Sequence, residues 1–218
     1  NDKIGFRTIE TKGKDILLNG KSIFFPKDPK AGGTWFAVDC YGTVLVLLNG
    51  AEEKHEVKLP YRKSRGLIVL DVISSESPKD FWSQIDLENI EPFTLILYQN
   101  NQLFQLRWNG NQKESISLPL NKKHIWSSAT LYSKEIRAKR SDWFYTFLDQ
   151  NLAISETELL NFHRYTEEGN QENGLVINRQ EGMKTLSITQ CAIENNKVVI
   201  LHSDLIAKED FNTSFITV

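Results

Sequence analysis

Through the first half of the chain the hydrophobic residues recur in short, strand-length runs, each closed by turn residues. Residues 14–18 and 22–25 flank Asn19-Gly20, the strongest short hairpin signal, and predict a first strand pair. Residues 34–39 and 43–48, separated by Cys40-Tyr41-Gly42, predict a second. The spacing then changes. Leu67, Ile68, Leu70 and Val72 follow Gly66 with no turn residue among them. That pattern suits a helix or a strand about equally and is read here as a helix over residues 64–75. Ser77-Pro78 provides a cap and a first-turn proline for a helix through Ile85, with Phe81, Trp82 and Ile85 at helical spacing.

The middle of the chain predicts a meander of residues 93–98, 103–108 and 115–118, joined by Asn-Asn and Asn-Gly turns. From Ser133 onward, Ile136, Arg140, Trp143, Phe144, Phe147 and Leu148 carry a helical period. Ser155 and Glu158 form a capping box for a second helix reaching Arg164. Residues 169–173 are polar loop, and residues 184–193 and 197–202 predict a last hairpin around Asn195-Asn196. Strands in consecutive groups, with helices between the groups and no βαβ alternation, indicate an α+β layered fold built on antiparallel sheets. No repeat or linker interrupts the chain, so the expectation is one domain over residues 1–218.

Composition narrows the function classes. The chain has 218 residues, 40% hydrophobic and 25% charged, as an ordinary globular protein does. Its longest apolar runs, such as residues 44–48, are strand-sized, whereas a membrane span needs about 20. No integral membrane segment is expected. A formal charge of -2 supplies no general basic field, so nucleic acid is not an expected partner. The clusters Arg62-Lys63-Ser64-Arg65 and Arg137-Ala138-Lys139-Arg140 read as solvated helix faces. Cys40 and Cys191 have no metal or redox spacing, which argues for buried free thiols and a cytoplasmic setting. His55, His124, His163 and His202 are scattered, so no metal site is expected, although a haem axial ligand needs just one His.

The candidate chemistry centres on the run from Phe25 to Trp35, closed by Leu47-Leu48-Asn49-Gly50. Pro26 and Pro29 shape a loop, and Gly32 and Gly33 permit either a turn into a strand or a close approach by something else. Gly33, Thr34 and Trp35 are therefore candidate substrate-binding residues. Trp35 and Trp126 offer flat apolar faces for a ligand, or for the core. Arg65, Arg107 and Arg179 are candidate carboxylate or phosphate clamps, or structural ion pairs.

Several motifs occur in a fixed order. They are Pro26-Lys27-Asp28-Pro29 with Ala31-Gly32-Gly33-Thr34-Trp35, Leu47-Leu48-Asn49-Gly50, and Pro60-Tyr61-Arg62-Lys63-Ser64-Arg65-Gly66. Glu91-Pro92-Phe93-Thr94-Leu95, Leu106-Arg107-Trp108-Asn109-Gly110 and the segment from His124 to Tyr132 follow, then Phe162-His163-Arg164, Asn178-Arg179 and Thr185-Leu186-Ser187-Ile188-Thr189. Together they resemble the bacterial branch of the NRDE family, which also contains the eukaryotic transport and Golgi organisation protein 2. The resemblance implies an N-terminal-nucleophile hydrolase-like fold, an αββα sandwich of two antiparallel sheets between helical layers. Members typically begin Met-Cys and carry Asn-Arg-Asp-Glu at the end of the second strand. Here the chain opens Asn1-Asp2-Lys3-Ile4, where that signature would fall, without its Arg or its acidic pair. The expectation is an omitted N-terminal segment carrying the Cys and the first strands.

By the same resemblance the chain is expected to hydrolyse non-peptide C–N bonds of a small amide or acyl substrate, with no cofactor required. An N-terminal Cys, its own amine acting as base, is the implied nucleophile. Asn49 is then the oxyanion donor, Ser128 a second polar residue of the site, and Arg179 the substrate-fixing arginine. Each has a plainer role available: Asn49-Gly50 as a turn, Ser128 as a cap, Arg179 as an ion pair. The family's association with haem trafficking and lipid homeostasis implies the alternative, a non-enzymatic carrier of haem, acyl-coenzyme A or another hydrophobic ligand.

Overall fold

The computed structural model describes residues 16–151 and 153–218. The expected pattern at Asn1-Asp2-Lys3-Ile4 and the start of the first strand at residues 14–15 lie outside the described residues. Strands β1 (Ile16–Leu18), β2 (Lys21–Phe24), β3 (Phe36–Asp39), β4 (Val44–Asn49), β5 (Phe93–Gln99), β6 (Gln102–Trp108) and β7 (Lys113–Leu118) form one antiparallel sheet in simple sequence order. Helices α1 (Arg65–Ser74) and α2 (Pro78–Gln84) are inserted between β4 and β5. After β7 come α3 (Lys134–Gln150) and α4 (Glu156–Tyr165), then β8 (Ser187–Glu194), β9 (Lys197–Asp204) and β10 (Glu209–Ile216). These last three make a second antiparallel sheet, with β9 central.

Strand alternation builds two cores. One face of the large sheet presents Ile23, Ala37, Leu45, Leu95, Leu97 and Leu106 to Ile68, Val69, Val72 and Ile73 of α1 and to Trp82 of α2. The opposite face presents Phe24, Phe36, Val38, Val44 and Val46 to Val198, Ile200, Ile193 and Phe215 of the small sheet. Across that gap Phe24 and Phe211 stack with centroids 6.0 Å apart. On the outer face of the small sheet, Gln190 Nε2 donates to the Glu156 carbonyl at 2.8 Å and Arg164 Nη2 to Ser203 Oγ at 2.7 Å, which places α4 there. Helix α3 joins α4 through the rings of Phe144, Phe147 and Phe162. The layer order is helix, sheet, sheet, helix: the α+β sandwich expected from the sequence.

The stretch that suits helix and strand equally is helix α1, because four of its apolar side chains cover one face of the sheet. Ser77 stands at the N-cap of α2 but makes no capping bond, its hydroxyl donating instead to Asp80 at 2.7 Å. Strand β10 is an addition to the expected elements. Within the two basic clusters Lys139 is exposed, as a solvated helix face requires, but other members are engaged. Arg62 and Arg65 pair with Asp86 and Glu91 at 3.0 Å each, and Lys63 pairs with Asp71. Arg140 is 8% exposed, its guanidinium 4.0 Å over the Tyr132 ring. Burial pulls the Arg140 pKa below its ordinary value, against the pull of Tyr132. Among the described residues no helix is long and apolar enough to cross a membrane.

Candidate functional site

The small sheet covers the large one over β2 to β4, and beyond it the same face of the large sheet turns polar. Leu48, Thr94 and Arg107 are paired across β4, β5 and β6, and Gln105 lies two residues from Arg107 on that face. They floor a cavity of about 300 Å³. Gly50, Ala51, Glu52 and Glu53 form its rim, Ile125, Trp126, Ser127 and Ala129 one wall, and Lys134, Arg137, Ala138 and Ser141 of α3 its roof.

Local chemistry holds each wall. Gly50 turns the chain out of β4 at φ +87°, and a Cβ there would lie 3.0 Å from the Thr130 methyl and 3.1 Å from the Thr130 nitrogen. Thr94 Oγ1 donates to the Gly50 carbonyl at 3.1 Å, tying rim to floor. Trp126 Nε1 donates to Gln105 Oε1 at 2.9 Å, and the His124 ring stacks on the indole at 5.6 Å, so the tryptophan plane is fixed from two sides. Ser133 caps α3 by accepting from the Ile136 N–H.

The charges are concentrated at the rim and roof. Arg107 Nη1 lies 3.1 Å from Glu114 and 3.6 Å from Glu52, and Arg137 Nη2 lies 3.7 Å from Glu53. The Nε atoms of both arginines are buried with no hydrogen-bond partner. Such groups are unusual in folded proteins and invite an acceptor.

Of the residues singled out in the sequence, Trp126 and Arg107 line the cavity. Asn49 and Ser128 meet at its edge, where the Ser128 hydroxyl donates to the Asn49 carbonyl at 2.7 Å. The Asn49 side chain shares the face of its pair partner Phe93, opposite to Leu48. The others stand outside the lining. Gly33 packs against the backbone of Gly66, and Thr34 Oγ1 lies within hydrogen-bond reach of the carbonyls of Pro26 at 2.6 Å and Phe36 at 2.8 Å. Trp35 packs against the inter-sheet core. Arg65 contacts Glu91 and donates to the Pro92 carbonyl at 3.2 Å. Arg179 donates to the carbonyls of Glu172 at 2.9 Å and Leu131 at 3.1 Å, beside the Tyr132 ring.

Thr94, Gln105, Glu52, Glu53, Lys134 and Arg137 are site residues that the sequence reading passed over. A signal existed for Gln105. Along β6, Phe104, Leu106 and Trp108 face one way, while Gln105 and Arg107 face the other, as expected of a strand whose second face is not covered by an apolar layer. Nothing comparable marked Arg137, which lies in a helix rich in charge on every side.

The model of the family described as Transport and Golgi organisation 2 matches residues 9–201 of the chain. No curated protein matches it.

Proposed function

The chain belongs to the Transport and Golgi organisation 2 family, of which NRDE is another name, and from that premise we propose that it handles a small acyl or amide compound in the cavity under Trp126. The observation that carries this reading is the position of the cavity. It lies on the inner face of the large sheet, where the apolar second sheet stops and Thr94, Gln105 and Arg107 take over beneath a fixed indole. A cavity of about 300 Å³ with one aromatic wall and a few converging polar groups has the make-up of a small-ligand site. Trp126 takes the acyl portion and the floor takes the polar end.

The reaction proposed for this scaffold is hydrolysis of a non-peptide C–N bond. The thiolate of an N-terminal Cys attacks the amide carbonyl, the amine leaves with a proton, and water then cleaves the thioester to release the acid and restore the thiol. Ser128, at the cavity's edge, is the residue proposed to assist, whereas Asn49, whose side chain lies on the other face of β4, and Arg179, outside the lining, are not assigned a step. Turnover of acyl amides is the test, comparing full-length protein that carries the cysteine with its Cys→Ala variant. Equal rates refute the catalytic role.

Binding without turnover is the second reading, favoured by the indole of Trp126, whose flat apolar face in the lining suits an acyl chain, free or as acyl-coenzyme A. Titration with palmitoyl-coenzyme A followed by Trp fluorescence, and with haem followed by Soret absorbance, separates the two. A flat response to both refutes carriage.

A further inference from the structure

Resting on the cavity reading above, we propose that the site recognises a singly charged carboxylate on its acyl ligand, clamped between Arg107 of β6 and Arg137 of α3. Glu52 and Glu53 act as counter-ions that the ligand displaces. Arg107 and Arg137 reach the cavity from opposite walls, sheet floor and helix roof, and their side chains are only 21% and 23% exposed. Each has a buried Nε with no partner. In Arg107 both carboxylate partners, Glu52 and Glu114, take Nη1, which leaves the edge formed by the buried Nε and Nη2 without a protein acceptor. That edge is a fork of two parallel N–H donors, the geometry that a carboxylate accepts in bidentate fashion.

The present partners on the rim are poor ones. Glu52 and Glu53 are 75% and 69% exposed, and they stand 3.6 Å and 3.7 Å from the guanidinium nitrogens. Contacts of that length in water are weak, so the glutamates neutralise the site when it is empty and give way to an acceptor that fits the fork. Charge selects the class of anion. Arg107, Lys134 and Arg137 line the cavity against Glu52 and Glu53, and with Glu114 on Arg107 from outside the charges balance, so a carboxylate, which adds one negative charge, meets less repulsion than a phosphate dianion, which adds two. The Trp126 ring lies in the same lining and offers the adjoining apolar surface.

Isothermal titration of the full-length protein with hexanoate, hexanamide and hexyl phosphate tests this. The expected order is hexanoate tighter than hexanamide by about tenfold or more, with hexyl phosphate weaker than hexanoate. The double variant Glu52→Gln, Glu53→Gln, confined to exposed side chains, is expected to bind hexanoate several-fold more tightly. Arg107→Lys keeps the charge but loses the fork, and Arg137→Gln loses both; each is expected to lower hexanoate affinity by a larger factor than hexanamide affinity, and an equal loss for the two probes overturns the carboxylate inference. Equal binding of hexanoate and hexanamide overturns the carboxylate inference and leaves the cavity reading standing, as does tighter binding of hexyl phosphate or weaker hexanoate binding by the glutamine double variant. Binding of none of the three probes overturns both.

Discussion

Replacing Gly33 with alanine tests why the Gly-Gly-Thr-Trp run exists. At Gly33 a Cβ would lie 2.4 Å from the carbonyl carbon of Gly66, 2.6 Å from the Leu67 nitrogen and 2.8 Å from the Gly66 Cα. All three are backbone atoms at the first turn of α1, so no side chain can swing away and the helix itself must shift. Overpacking of this kind costs about 1–3 kcal/mol. The shift also strains the hydrogen bond from the Thr34 N–H to the Gly66 carbonyl, now 3.1 Å, worth about 1 kcal/mol. Gly33→Ala should therefore destabilise the protein by about 2–4 kcal/mol. Gly66→Ala meets the Thr34 nitrogen at 2.9 Å and oxygen at 3.0 Å, a milder clash on the same contact. Gly32→Ala meets nothing within 4 Å and pays only for its φ of +73°, about 1–2 kcal/mol. Urea unfolding followed by far-ultraviolet circular dichroism should rank Gly33→Ala as the most damaging of the three. A Gly33→Ala protein within about 0.5 kcal/mol of the parent, at unchanged denaturant dependence, refutes the close-packing account and returns Gly33 to the list of ligand-facing residues.

Three further outcomes follow from local chemistry. Ser155→Ala removes the hydroxyl that accepts from the Glu158 N–H at 3.2 Å and donates to the Glu158 carboxylate at 2.7 Å, leaves only the carboxylate's bond from the backbone N–H of residue 155, and should cost about 1 kcal/mol in the same unfolding assay. His202 is 2% exposed, Nδ1 2.7 Å from Thr189 Oγ1 and Nε2 without a partner, and burial pulls its pKa below 6.5 against the pull of Asp204. The unfolded chain then takes up its proton first, so stability falls as pH drops from about 6.5 toward the depressed folded value, by at most about 1.4 kcal/mol per pH unit. His202→Leu should flatten that segment of the curve, and an unaltered slope refutes the assignment. The Cys191 thiol, pushed up to about 12 by burial, should resist iodoacetamide at pH 8 in the folded protein and react once urea unfolds it; native labelling mapped to Cys191 by mass spectrometry contradicts this.

What the sequence disclosed about fold and site follows the range of the interactions involved. Short apolar runs bounded by turn residues are local signals, so β4, β5 and β6 were legible, and the alternation along β6 marks the polar face that carries Gln105 and Arg107. Strand β10 was not, because Glu209–Ile216 has Glu, Asp and Asn among its residues and places only Phe211 and Phe215 as large apolar groups against the inter-sheet core. As an edge strand it is held by pairing with β9 more than by its own composition. Arg140 shows the reverse error. A run of basic residues reads as solvated until the Tyr132 ring and the Gly174 carbonyl, each brought in by another segment, make burial affordable. The residue types at Gly33 and Thr34 suit a ligand. Yet a glycine permits an approach without saying by what, and here the visitor is the backbone of α1. The same reasoning bears on the cavity. Arg107 was visible as an arginine on a strand, but the roof residue Arg137 and the exposed glutamates that neutralise the pair come from segments far away along the chain. Only their convergence brings two guanidiniums with unpartnered Nε atoms to one cavity, so the proposed anion site would be a property of the layers' arrangement, and variants at Glu52 and Glu53 probe it more cleanly than any change to the core beneath.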